Sequence, residues 1–273
     1  MNTKAVKTIA FLVILIILFS INSFLGLALI LGGITYVTYR NLPTIFMVIG
    51  NRKYMNKNID EAMFWYEKSY KFRHAKPMVM INYAYAVLKQ GQIEKSEAVL
   101  REVLKRDLNE RDKANANINL SLVLWKKGDL QGAIDLTKEM YSKDYKTTLV
   151  YQNLGFYYIL SGDLNKALEF NLEANNYSDS DTSILDNLAM NYYLLGSYEK
   201  ALEVYNNLVP MNPSFVTTYY YYGLTLEKLG KYEESLEVLK KALNYRFSFL
   251  SAVSREQVET EIEKINRNLS RDC

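Results

Sequence analysis

One pattern recurs every 34 residues across most of this 273-residue chain, and it constrains the fold more than any other feature. Leu154-Gly155, Leu188-Ala189 and Tyr222-Gly223 stand 34 apart, and Gly162, Gly196 and Gly230 follow seven residues after each second member. The glycine column extends back to Gly128 and, with three extra residues at about 111–113, to Gly91. Six units result: 43–76, 77–110, 114–147, 148–181, 182–215 and 216–249. Their eighth positions hold Gly50, Ala84, Ser121, Gly155, Ala189 and Gly223, and their twentieth hold Ala62, Ser96, Ala133, Ala167, Ala201 and Ser235. Small residues at both places let two antiparallel helices approach closely within each unit. The fifteenth position, Gly in five units and Lys57 in the first, is where a positive φ ends the first helix. Pro43 and Pro77 are expected to open their units, where a missing amide hydrogen costs little.

These columns resemble the tetratricopeptide repeat family over about three quarters of the chain. Tyr151, Leu154, Gly155, Tyr158, Ala167 and Ala174 carry the resemblance in the fourth unit, and Leu185, Leu188, Tyr192, Ala201, Tyr205 and Pro213 in the fifth. The first unit is the weakest, with Lys53 where the pattern wants Tyr. The resemblance implies an all-α fold, a right-handed α-solenoid of helix-turn-helix units. After the sixth unit, Val258, Ile262, Ile265 and Leu269 share one helical face amid charges, so residues 250–273 are expected to supply a capping helix.

Ahead of the repeats, residues 1–42 contain 32 consecutive uncharged residues, Thr8 to Tyr39. A helix needs about 20 to cross the hydrocarbon core, so this is expected to be an N-terminal transmembrane segment contacting lipid through residues 8–39. A cleaved signal peptide fits less well, because apolarity resumes at Phe24 and no small-residue cleavage site intervenes. As one helix the stretch would run roughly 48 Å, long for an upright span, while a hairpin turning at Ser20-Ile21-Asn22-Ser23 would make two short spans. Either way the heavier basic flank, Arg40, Arg52 and Lys53, follows the segment, which places the repeats on the cytoplasmic side of the cell membrane.

The net charge of +3 belongs wholly to residues 1–42, which hold Lys4, Lys7 and Arg40 and no acid. Residues 43–76 carry seven bases against three acids, +4, and the rest of the chain is therefore −4. A neutral body with an acidic far end lacks the basic footprint that nucleic acid requires. Enzymatic residues are scarce: the single Cys, Cys273, excludes an internal disulfide or a cysteine zinc site, and the single His, His74, lies in the basic link Phe72–Lys76 and is expected on the surface. No catalytic set, metal site, cofactor or small-molecule substrate is indicated.

The resemblance also implies where a partner protein would sit, on the second, fifth, ninth and twelfth positions of each first helix. Here these supply Met78, Ile81, Tyr85, Leu88, Ile118, Leu122, Trp125, Leu149, Phe156 and Ile159. In the run Tyr219–Tyr222, Tyr219 and Tyr222 fall on core positions, and Tyr220 faces the groove. The sixth position is Asn82, Asn119, Asn153 and Asn187, part of a clamp that some family members use on a C-terminal carboxylate. Its remaining positions hold Ile81, Ile118, Gln152, Asp186, Tyr85, Leu122, Phe156 and Met190 instead, so a structural role for the asparagines is favoured. The expected function is a membrane-anchored adaptor binding an apolar partner segment in a concave groove. The alternatives are a self-associating scaffold, a regulatory subunit of a membrane enzyme complex, or a groove closed into extra core.

Overall fold

The computed structural model describes residues 3–270; Cys273 lies outside that range, and the side chains of Lys4 and Lys7 are not described either. All regular structure among the described residues is helical. The chain divides into two compact units, residues 1–83 and 84–273, with the division inside a helix.

The first unit starts with α1 (Thr3–Ile21) and α2 (Ser23–Met55), which part at Asn22. Asn22 adopts an extended backbone and its side-chain oxygen accepts from the Phe24 amide at 2.7 Å, starting a new helix where the sequence turns polar. The Phe19 ring then packs on Gly26, where any Cβ would collide with it. Helix α2 runs on through Pro43, which is therefore buried in a helix interior rather than opening the first repeat. Proline offers no amide hydrogen to the carbonyl four residues back, that of Tyr39. The Nε2 of His74 fills the vacancy at 3.1 Å. His74 is half-buried between the Tyr39 and Phe72 rings, at 4.6 and 5.4 Å, which corrects its expected place on the surface.

The second half of α2 pairs with α3 (Ile59–Tyr70). Gly50 faces the Tyr66 ring and the Ala62 carbonyl, 2.7 and 3.3 Å from where its Cβ would stand. Lys57 makes the turn between them with φ 62°, and Asn58 caps α3 by accepting from the Glu61 amide. Pro77 does open its helix, α4 (Pro77–Lys89).

In the second unit α5 (Ile93–Leu104) follows α4, and four further pairs come after it: α6 (Glu110–Lys126) with α7 (Leu130–Ser142), α8 (Thr148–Leu160) with α9 (Leu164–Tyr177), α10 (Thr182–Leu194) with α11 (Tyr198–Leu208), and α12 (Val216–Lys228) with α13 (Tyr232–Ala242). Gly91, Gly128, Gly162, Gly196 and Gly230 turn the pairs with φ between 75° and 88°. All twelve small residues of the eighth and twentieth columns are buried. Two pairs touch directly, Ser96 Oγ donating to the Ala84 carbonyl at 2.8 Å and Ser235 Oγ to the Gly223 carbonyl at 2.7 Å. The three extra residues near 111–113 lengthen α6 to 17 residues, and Asn109 caps it by accepting from the Asp112 amide at 2.8 Å.

Residues 243–254 are irregular, and α14 (Arg255–Leu269) starts from a capping box between Ser254 and Gln257. Val258 and Ile265 on α14 are fully buried with Tyr219, Leu239 and Val253, while Ile262 and Leu269 pack partly against them. The apolar face expected of a capping helix is thus the face that α14 buries.

Candidate interaction surface

Of the residues expected to line a groove, Ile81, Leu88, Ile118 and Ile159 are buried. Being buried, these side chains belong to the core and are not part of the accessible surface. Tyr85 and Leu149 are exposed, and Met78, Leu122, Trp125, Phe156 and Tyr220 are half-buried. Met78 and Ile81 belong to the first unit; the others belong to the second and are described there.

Trp125, near the end of α6, meets the edge of Phe156 on α8 at 5.2 Å, and both rings rest on the buried cluster of Leu154, Tyr157, Tyr158 and Met190. One side of this aromatic pair is thus anchored in the core and the other is accessible. Tyr220 is elsewhere: it stacks edge-on to Tyr221 at 5.3 Å and packs with the α14 cluster. Burial pushes its hydroxyl pKa up, and the Glu261 carboxylate on α14 adds to that. Tyr219 is core as expected, its hydroxyl donating to the Pro213 carbonyl at 3.1 Å and accepting from Tyr245 at 2.7 Å. Tyr222 is only half-buried and donates to Asn206.

The asparagine column does structural work where its bonds are seen. Asn187 Nδ2 donates to the Gln152 carbonyl of the preceding repeat at 2.8 Å, and in the first unit Asn82 reaches Met47 Sδ at 3.0 Å. A second amide chain joins Asn171 to Asn191 at 3.2 Å and Asn191 to the Leu164 carbonyl at 3.0 Å. These amides stitch consecutive repeats together.

Two features escape sequence reasoning. Lys126 places its ammonium 4.0 Å from the Trp125 ring centre and 5.3 Å from that of Phe249, and donates to the Ser251 carbonyl at 3.4 Å. Burial holds its pKa below the usual lysine value. The Phe249 amide reaches the Lys89 carbonyl at 3.4 Å, so the end of the sixth repeat and the residues just after it cross to the turns of the second and third. The only sequence signal was the alternating pair Phe247 and Phe249 in a stretch without helical periodicity.

The second feature is Asp186, expected at a groove position and found buried. Desolvation pushes its carboxyl up to about 7, and the nearby Thr218 hydroxyl offsets part of this without a hydrogen bond of good geometry. The fully buried Tyr205 hydroxyl, also without a partner, is raised by its own burial and by Asp186. Among the described residues no three His, Cys, Asp or Glu side chains group as metal ligands.

Comparison with known proteins supports the repeat assignment. Residues 84–144 and 216–249 match tetratricopeptide repeat profiles, and residues 191–230 match a TPR repeat profile. No curated protein matches in sequence. A tetratricopeptide repeat protein from Parabacteroides merdae superposes with a TM-score of 0.64 at 12% identity, over 82% of this chain and 84% of that one. A thermophilic TPR protein of Thermus thermophilus gives 0.57 at 15% identity, over 70% and 98%. A chain of the Cut9–Hcn1 hetero-tetramer of the APC/C gives 0.65 at 13% identity, over 93% of this chain and 52% of that one. At these identities the likeness is one of fold. Repeats of this kind mediate protein–protein interaction.

Proposed function

We propose that this chain anchors itself in a membrane through residues 8–39 and holds a segment of a partner protein on the partly exposed apolar row of its second unit, with the repeats on the cytoplasmic face. The observation that carries the partner reading is the row itself: Tyr85, Leu122, Trp125 and Phe156 keep accessible surface while Leu88, Ile118 and Ile159 are buried. Large aromatics on rigid helices lose little freedom on binding and dominate interface energy.

The anchor reading is supported by α2, the one described helix long and apolar enough to cross a membrane, and by the shorter apolar stretch Thr8–Ile21 before it. Leu31, Ile34 and Val37 on α2 and Ile14 and Ile16 on α1 are exposed, an arrangement suited to lipid and costly in water. The break at Asn22 and the packing of Phe19 on Gly26 favour two helices over one continuous span. Because α2 continues without a break into the first repeat, anchor and repeat share one helix.

A photo-crosslinking residue at position 85 of the full chain in native membranes tests the partner reading against the same residue at Leu172, exposed on α9. A discrete protein adduct at 85 and none at 172 is expected. An adduct of twice the chain mass would support the self-associating scaffold instead, and equal labelling at both sites would count against a dedicated surface.

A further inference from the structure

We infer that the turns of the second and third repeats form a docking site for a tight turn bearing a phenylalanine, and that the chain's own residues 246–254 occupy this site at rest. The inference deepens the partner reading above by naming a second recognition element at the edge of the aromatic row and the chemistry it accepts.

The segment is recognised largely through its main chain. The Phe249 amide donates to the Lys89 carbonyl and the Ser251 carbonyl accepts from Lys126 Nζ, each at 3.4 Å. The segment is a turn closed by its own bonds, the Ser251 amide donating to the Ser248 carbonyl at 2.9 Å and the Ser248 amide to Ser251 Oγ at 3.0 Å, so its shape is set before it docks. Specificity comes from one side chain. The Phe249 ring lies against Gly91, 3.4 Å from where a Cβ would stand, and also meets the Lys126 ammonium, which is shared with Trp125. Glycine is already required at 91 by its φ of 78°, and its bare backbone gives the ring a seat.

Exchange is built into the contact. Both main-chain bonds lie at the long end of the hydrogen-bonding range. Phe249 remains exposed, and an open cleft of roughly 480 Å³ lies beside the segment, lined by Lys89, Gln90, Phe247, Phe249, Val253 and Arg255. The ends of the segment are fixed: Val253 is buried in the core, and Arg255 Nη2 donates to the Leu243 carbonyl at 3.2 Å. Only the tip around Phe249 can lift. Tethered so closely, it competes at an effective concentration of about millimolar, which an incoming segment must match or exceed.

The test uses the full chain in phospholipid nanodiscs and hydrogen–deuterium exchange read by mass spectrometry. Phe249→Ala should speed exchange over residues 246–254 by about tenfold while α8 to α11 stay protected. A synthetic peptide of residues 246–254 at about millimolar concentration should then protect residues 89–91 and 126–128 in this variant and not in the wild type. The same peptide with alanine in place of Phe249 should protect neither. Lys126→Met, which keeps an unbranched apolar side chain and removes the ammonium, should reproduce the faster exchange if Phe249→Ala disturbs the fold. Unchanged exchange in both variants would overturn the resting contact, and peptide protection that is absent from Phe249→Ala or equal in wild type would overturn the docking site. Neither result depends on capture of a partner by the aromatic row, which the crosslinking at residue 85 tests separately.

Discussion

Asp186 is the least comfortable single residue in the second unit, a carboxyl removed from water with one oxygen lacking any hydrogen bond. Its native pKa of about 7 stands above the value near 3.8 of the unfolded chain, so between those values the folded state holds more protons. Stability contributed by the neutral acid is therefore present at acidic pH and lost as pH rises through about 7. Asp186→Asn should remove that loss: thermal unfolding of variant and wild type should be similar near pH 4 and diverge by pH 8, the variant gaining on the order of 3 kcal/mol. Parallel pH profiles would show that Asp186 is not the buried acid responsible. The sequence put this residue at a groove position but not its burial, because a repeat column gives a position and not the depth at which neighbouring helices close over it. The fifteenth column was legible for the opposite reason. A positive φ narrows the choice of residue so strongly that five glycines announce it, and Lys57, with φ 62°, occupies the same turn without glycine's freedom.

At the scale of helices, the close approach within each pair is what the small columns encode. Ala167 is fully buried where α9 meets α8, and beside it a Cβ on Gly155 would strike the Asn171 amide. Ala167→Leu should cost about 1 to 3 kcal/mol by overpacking, read as a lower melting temperature with the far-UV helical signal retained below the transition. An unchanged melting temperature would mean that the two helices do not meet there. Helix pairing was readable because spacing and residue size both bear on it. Helix ends were less so. Pro43 looked like a helix start because proline tolerates that position, and only the fold reveals that His74 satisfies the Tyr39 carbonyl the proline leaves open. Where the extra residues near 111–113 would go was not readable, because an insertion breaks the period whether it loops out or adds a helical turn.

For the whole molecule, the charge distribution and the apolar helices together carry the topology proposal. The first repeat's +4 would lie beside the inner leaflet, where anionic lipid attracts basic side chains at roughly 1 kcal/mol each. Protease added to intact spheroplasts should leave residues 77–270 uncut until the membrane is disrupted; cleavage there beforehand would reverse the orientation. The interaction surface was half legible. Repeat register located Tyr85, Trp125 and Phe156, but burial of Ile81, Leu88, Ile118 and Ile159, and the segment crossing at Phe249, depend on how far neighbouring repeats close, which no column records. The most direct measurement of the adaptor proposal is the dissociation constant between the purified full chain and the protein recovered by crosslinking at residue 85, compared for wild type and Trp125→Ala. A loss of more than about 1 kcal/mol, roughly a fivefold or greater weakening, with unchanged helical content is the predicted result. Unchanged affinity, or a fold that melts because Trp125 is core, would contradict it.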